Sequence, residues 1–238
     1  FSEKAADYGL DHTGFSTQAA FFDYDKDGDL DMYMVTHARF NARSVNRIVA
    51  QNLQSNEALD YLFRNDDGQF KDVSEAAGIR DAQRGYGLGI TIADFNNDGW
   101  DDIYVSNDFY EGDLYWINNQ DGTFTESLTK YFGHVSLFSR GCDAADMNND
   151  GYQDVMTVDI SPQNVISERK SFSADSWDAF RYKLSFGHHD QVSRNCLQIN
   201  YGLQFSDVAL LSGVASTNHS WSTLLADFNN DGDKDIFI

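Results

Sequence analysis

Four times along the chain, an apolar run leads into an aspartate-rich stretch and out into a second apolar run. The copies are FFDYDKDGDLDMYMV at 21–35, IADFNNDGWDDIYVS at 92–106, AADMNNDGYQDVMTV at 144–158 and LADFNNDGDKDIFI at 225–238. The runs that follow the loops (DMYMVT, DDIYVS, DVMTVD, DIFI) hold the aliphatic, β-branched and aromatic residues of half-buried strands. Each copy therefore predicts strand, polar loop, strand. The first aspartates, Asp23, Asp94, Asp146 and Asp227, are 71, 52 and 81 residues apart. That spacing is too long and irregular for a solenoid coil and suits propeller blades carrying insertions. Eight residues before each aspartate stands Phe15, Tyr86, Phe138 or His219, each followed by a small residue, so the repeat extends beyond the loop.

A second element recurs as DYLFRNDDGQFKDVS at 60–74, DLYWINNQDGTFTES at 113–127 and the weaker NCLQINYGLQFSDVA at 195–209. Each reads strand, glycine turn, strand. Four antiparallel strands per repeat is the make-up of a propeller blade, so the expected fold class is an all-β propeller. It is expected to fill residues 1–238 as one domain, incomplete at both ends. Blade-like repeats are placed at 15–78, 86–130 and 137–210. Residues 1–14 are read as the outer strand and exit of a preceding blade, and 219–238 as the start of a further one. Propellers close with about four to eight blades; these three full blades and fragments lead to the expectation of a longer native protein. Phe1 in place of methionine fits a mature or trimmed product.

Every loop has the form D-x-[DN]-x-D-G-x-x-D, with side-chain oxygens at positions 1, 3, 5 and 9 and a backbone carbonyl at position 7. The side chains are Asp23, Asp25, Asp27 and Asp31; Asp94, Asn96, Asp98 and Asp102; Asp146, Asn148, Asp150 and Asp154; Asp227, Asn229, Asp231 and Asp235. The carbonyls are those of Asp29, Trp100, Tyr152 and Asp233. An anionic, oxygen-only, flexible donor set is what Ca²⁺ takes. An EF-hand would need a bidentate Glu at position 12; here stand Met34, Val105, Thr157 and Ile238. Mg²⁺ prefers rigid octahedra, and zinc prefers thiols and imidazoles that the loops lack. Plain hairpin turns do not require side-chain oxygens of Asp or Asn at the same four offsets four times. About four structural Ca²⁺ ions are expected.

Composition narrows the role. A charge of −21, from 38 acidic and 17 basic residues, argues against nucleic acid, which is held by lysine and arginine on phosphates. With 41% hydrophobic residues there is ample material for a core. No apolar run reaches membrane-spanning length and no signal segment is legible at the start. Cys142 and Cys196 lie in strand patterns and read as buried small hydrophobes.

If the loops join the first two strands of each blade, the links from strand two to strand three emerge at the opposite end. Two of those links are insertions, 37–58 and 161–193. The first carries Arg39, Arg43 and Arg47 with no acid before Glu57. The second predicts a helix capped by Ser173 and ended near Gly187, with Trp177, Phe180 and Leu184 on one side. Arg140 and Trp221 are expected to join Phe15, Tyr86, Phe138 and His219 near a channel entrance at this end. Two readings stay open, packing onto the propeller and partner docking. The nearest approach to a catalytic set, His188-His189-Asp190, sits in a polar loop, and no hydrolase or phosphate-loop motif occurs. No catalytic residue is assigned.

The loops resemble the integrin-α-type FG-GAP or VCBS repeats. More specifically, GVASTNHSWST before LADFNNDGDKDIFI, the RNCLQIN strand and AADMNNDGYQDVMTVDISPQ look like the ASPIC/UnbV family, bacterial surface proteins common in Bacteroidetes and similar to cartilage acidic protein. That resemblance covers nearly the whole chain and implies a seven-bladed, Ca²⁺-binding propeller. It implies an extracellular or outer-membrane location, a protein or glycan partner, and association with nutrient-uptake machinery. The function expected is a calcium-stabilised surface binding module. A propeller-based polysaccharide lyase or hydrolase, and a purely structural subunit, are the alternatives.

Overall fold

The computed structural model describes residues 2–37, 59–82, 85–109, 111–163, 176–202 and 204–238. The chain is all-β apart from short helices, and its sheets are mostly antiparallel. The first sheet is a meander of β1 (Ser16–Phe22), β2 (Asp31–Thr36), β3 (Tyr61–Asp66) and β4 (Gln69–Asp72). The second repeats it with β5 (Gly87–Ala93), β6 (Asp102–Asn107), β7 (Leu114–Asn118) and β8 (Phe124–Glu126). A two-residue strand, β9 (Val135–Ser136), precedes a third sheet whose first two strands are β10 (Cys142–Ala145) and β11 (Asp154–Thr157). Its chain then passes through β12 (Gln191–Val192), parallel to β9, before β13 (Cys196–Asn200) and β14 (Phe205–Asp207) complete the sheet. A hairpin of β15 (Leu224–Ala226) and β16 (Asp235–Phe237) follows.

Successive sheets pack face to face. The first strands β1, β5, β10 and β15 lie against one another in chain order, and a separate apolar core fills each gap. Tyr33, Val35 and Leu62 meet Ile90, Ile103 and Trp116 in the first. Tyr104 and Tyr115 meet Val155 and Phe205 in the second. Met156 and Leu197 meet Leu225 in the third. This arrangement is propeller-like. It also corrects one expectation: β2, β6 and β11 are buried along their whole length, not half-buried, because each lies in a sheet with cores on both faces.

The glycines at 89 and 141 follow from how closely the first strands approach. A Cβ on Gly89 would stand 2.8 Å from the Arg140 carbonyl oxygen, and one on Gly141 would stand 2.7 Å from Ser222 Cα. Between β3 and β4, Asp67 and Gly68 have φ of 54° and 87°, the two left-handed residues of a tight hairpin turn whose twist matches the strands.

Two further readings change. The opening segment, expected to include an outer strand, is a helical turn, Ala5–Tyr8, ended by a left-handed Gly9 packed on Phe70. The insertion helix spans Trp177–Ser185 and is capped by Ser176, whose Oγ accepts from Ala179 N; Ser173 lies outside the described residues. Its end near Gly187 is where the sequence placed it. Both cysteines are free thiols, Cys196 fully buried and Cys142 partly so.

Candidate metal centre

All four aspartate loops are hairpin connections, between β1 and β2, β5 and β6, β10 and β11, and β15 and β16. Strands flank them on both sides, which removes the helix–loop–helix frame of an EF-hand. Position 1 organises each turn: one carboxylate oxygen accepts from the backbone N–H of position 5, the other from the glycine at position 6. In the second loop these bonds are Asp98 N to Asp94 Oδ1, 3.0 Å, and Gly99 N to Asp94 Oδ2, 2.7 Å. Asp23, Asp146 and Asp227 do the same. Position 5 accepts from the N–H of position 7 in every loop. Position 6 is glycine because its φ lies between 87° and 98°, where a Cβ would strain the turn.

These bonds leave side-chain oxygens concentrated on one side of the turn. In the first loop, oxygens of Asp23, Asp25 and Asp27 lie within 4.8 Å of one another. Asp25 Oδ1 is buried with no hydrogen-bond partner, and burial together with the Asp27 charge pushes this carboxyl above its ordinary range. An orphaned buried carboxylate oxygen beside like charges fits a hard cation taking oxygen ligands. Positions 1, 3 and 5 and the position 7 carbonyl would hold such an ion.

Position 9 has a structural task of its own. Asp102 Oδ2 accepts from Phe95 N at 3.3 Å and its Oδ1 from Asn118 N at 2.9 Å, pinning the loop's start to the end of β7. Asp31 pins Tyr24 and Asn65, and Asp154 pins Met147 and Asn200, in the same way. Burial pushes Asp31 and Asp154 up to about 6 and Asp102 up to about 7. The two kinds of aspartate are expected to separate in chelator. There, Asp102→Ala lowers stability by about 2 kcal/mol through two orphaned N–H groups, whereas Asp98→Ala, at an exposed position, changes it by under about 1 kcal/mol. Urea midpoints in EGTA check this; equal losses would refute the division.

The sequence reading missed the partners of position 9, although their signal was present. Asn65, Asn118 and Asn200 stand at one place in the second repeated element, at the ends of β3, β7 and β13. Each side-chain amide donates to the position 8 carbonyl of its own loop, Leu30, Asp101 or Gln153.

At the opposite end, Arg39, Arg43 and Arg47 lie outside the described residues. Arg140 and Trp221 come together: the guanidinium lies 3.9 Å from the ring centroid, and Trp221 is 63% exposed. His219 stacks near-parallel to that ring at 6.0 Å. Trp221 and His219 border a cavity of about 810 Å³ also lined by Gln163, Thr217 and Thr223. The expected aromatic ring is split. Tyr86 and Phe138 are buried and meet Phe109 edge-on at 5.4 and 6.0 Å, whereas Phe15 is exposed. Trp177 and Phe180 stack on each other at 5.6 Å, yet Trp177 is 68% exposed and Leu184 is exposed too; the helix buries Lys183 instead.

His188 and His189 line a cavity of about 240 Å³ with Glu111 and Glu126, and burial lowers the His189 imidazole. Elsewhere, His134, Cys196 and Asp207 bring a nitrogen, a sulfur and an oxygen within 4.8 Å. Arg194 already pairs with Asp207 and reaches within 3.4 Å of His134 Nε2, so a guanidinium supplies the positive charge in that cluster. No helix among the described residues is long and apolar enough to cross a membrane.

No curated protein matches the chain. Residues 48–105 and 94–157 each match the model of the FG-GAP-like repeat, and the second match runs from the first aspartate of the second loop to the last residue of β11. Across these residues the chain is built of FG-GAP-like repeats.

Proposed function

We propose that the chain is a calcium-stabilised interaction module of the ASPIC/UnbV kind, a β-propeller on an extracellular or outer-membrane surface. The four loops hold Ca²⁺ for rigidity, and the opposite end engages a protein or glycan partner, such as a component of an outer-membrane nutrient-uptake complex. One observation carries the assignment of the working end. Trp221, an exposed aromatic, is braced by Arg140 and flanked by His219 beside a wide cavity, ahead of β15 and so on the opposite side of that strand from its loop. Tryptophan and arginine are the residues that most often anchor interfaces, and a rigid scaffold offering them at one end is the usual layout of a binding surface.

The test is retention of partners from native outer membranes on immobilised protein, with wild type compared against Trp221→Ala and Arg140→Ala at saturating calcium. Loss of the retained species in both variants, with melting temperatures unchanged, is the expected result. Undiminished retention by both would overturn the assignment.

A further inference from the structure

Neighbouring loops are tied together by the same position each time. The fourth loop residue, Lys26, Asn97 or Asn149, has a left-handed φ of 59°, 57° or 59°. Its side chain donates to the next loop along the chain. Lys26 Nζ reaches the Gly99 carbonyl, Asn97 Nδ2 the Gly151 carbonyl at 3.0 Å, and Asn149 Nδ2 the Asp233 Oδ1 at 2.8 Å. The acceptors belong to positions six, six and seven, within the turn that gathers the carboxylates.

A second tie runs backward. Asn118 Nδ2 donates to Asp101 O in its own loop and, at 2.9 Å, to Tyr24 O in the preceding loop. Asn200 Nδ2 bridges Gln153 O and Phe95 O in the same manner, at 3.1 and 2.8 Å. The backbone of each loop is therefore positioned partly by its neighbours.

We propose that these ties couple the loops, so that metal uptake is cooperative from one repeat to the next, with Asn97 and its equivalents Lys26 and Asn149 as positioning residues. The proposal rests on the calcium reading above. A loop without its ion holds clustered like charges, and closing it costs ordering entropy; a neighbour already closed supplies part of that order. Such coupling is reciprocal between sites.

Trp100 sits at position 7 of the second loop, which gives that loop its own optical reporter, assigned by its absence in Trp100→Phe. Calcium is titrated into the chelated full chain, following Trp100 emission for the second loop and calorimetry for total stoichiometry. Disabling the third loop with Asp150→Asn is expected to weaken calcium at the second loop about fivefold or more. In an Asn97→Gly background, which keeps the left-handed backbone and removes only the side chain, the same change is expected to weaken the second loop less, the remainder passing through Asn200. A second-loop affinity indifferent to Asp150→Asn overturns the coupling while sparing the calcium reading. An effect that persists undiminished in Asn97→Gly overturns the role of Asn97. Absence of any calcium-dependent heat or emission change overturns both.

Discussion

Protein in saturating calcium is expected to melt far above the same protein in EGTA. One site held at a hundredfold excess over its Kd adds about 2.7 kcal/mol to the folded state. In a domain of this size each kcal/mol moves Tm by about 2–4 °C. A single occupied loop thus accounts for roughly 5–10 °C, and further loops add to it. Charge acts in the same direction: 13 carboxylates occupy the ligand positions of the four loops in a chain already at −21, and chelation leaves them to repel one another. Scanning calorimetry in calcium, magnesium and EGTA checks the expectation. Superimposable melts would remove calcium from the account of this fold, and a magnesium curve matching that of calcium would reassign the ion.

The second large effect lies at the other end of the sheets, where Asp113 is fully buried just before β7. Its Oδ1 accepts from Asn107 N at 2.9 Å, and its Oδ2 from Tyr104 Oη at 2.5 Å and Ser139 Oγ at 3.2 Å. Asp113→Ala orphans three buried donors, and a loss of about 3–4 kcal/mol is expected, read as a lower urea midpoint. Asp113→Asn, which keeps an acceptor, is expected to cost about 1 kcal/mol.

Burial pushes this carboxyl from 3.8 up to about 7. The folded protein therefore holds the proton more tightly than the unfolded chain does. The stability this group contributes is fully present below about pH 3.8 and is lost as pH rises through about 7. Measured at constant saturating calcium, the advantage of wild type over Asp113→Asn is expected to be greatest near pH 4 and to shrink toward pH 7. A difference that does not vary with pH would contradict the buried, proton-holding reading.

The same position shows how far the sequence could be read. Asp60 makes the equivalent bonds in the first sheet, to Tyr33 Oη at 3.1 Å and Thr36 N at 2.8 Å. In the third sheet Met156 stands where the tyrosines stand, and Asn195 replaces the aspartate. Asn195 Oδ1 accepts from Asp159 N at 2.7 Å, while its amide turns to Val214 O and Thr217 Oγ1. Hydroxyl and carboxylate occur together and vanish together, a pattern present in the sequence but meaningless until the strands are in register.

The hairpins, loops and four-strand repeats were legible because local spacing dictates them. The two-faced burial of β2, β6 and β11 was not, since it depends on which sheet packs against which. The switch of the insertion helix from a Trp177–Leu184 face to a buried Lys183 was hidden for the same reason: helical period identifies a stripe but not its neighbour. Lys26, Asn97 and Asn149 looked like filler between ligands, because their partners lie 73, 54 and 84 residues away.

The close approaches at Gly89 and Gly141 carry a mechanical consequence. Backbone meets backbone there, so the spacing of successive first strands is set by atomic radii, not by adjustable side chains. A methyl group at Gly141 would act as a wedge between β10 and the Trp221–Ser222 backbone. It would push the β15 hairpin away from β10 and open the gap that Met156, Leu197 and Leu225 now fill.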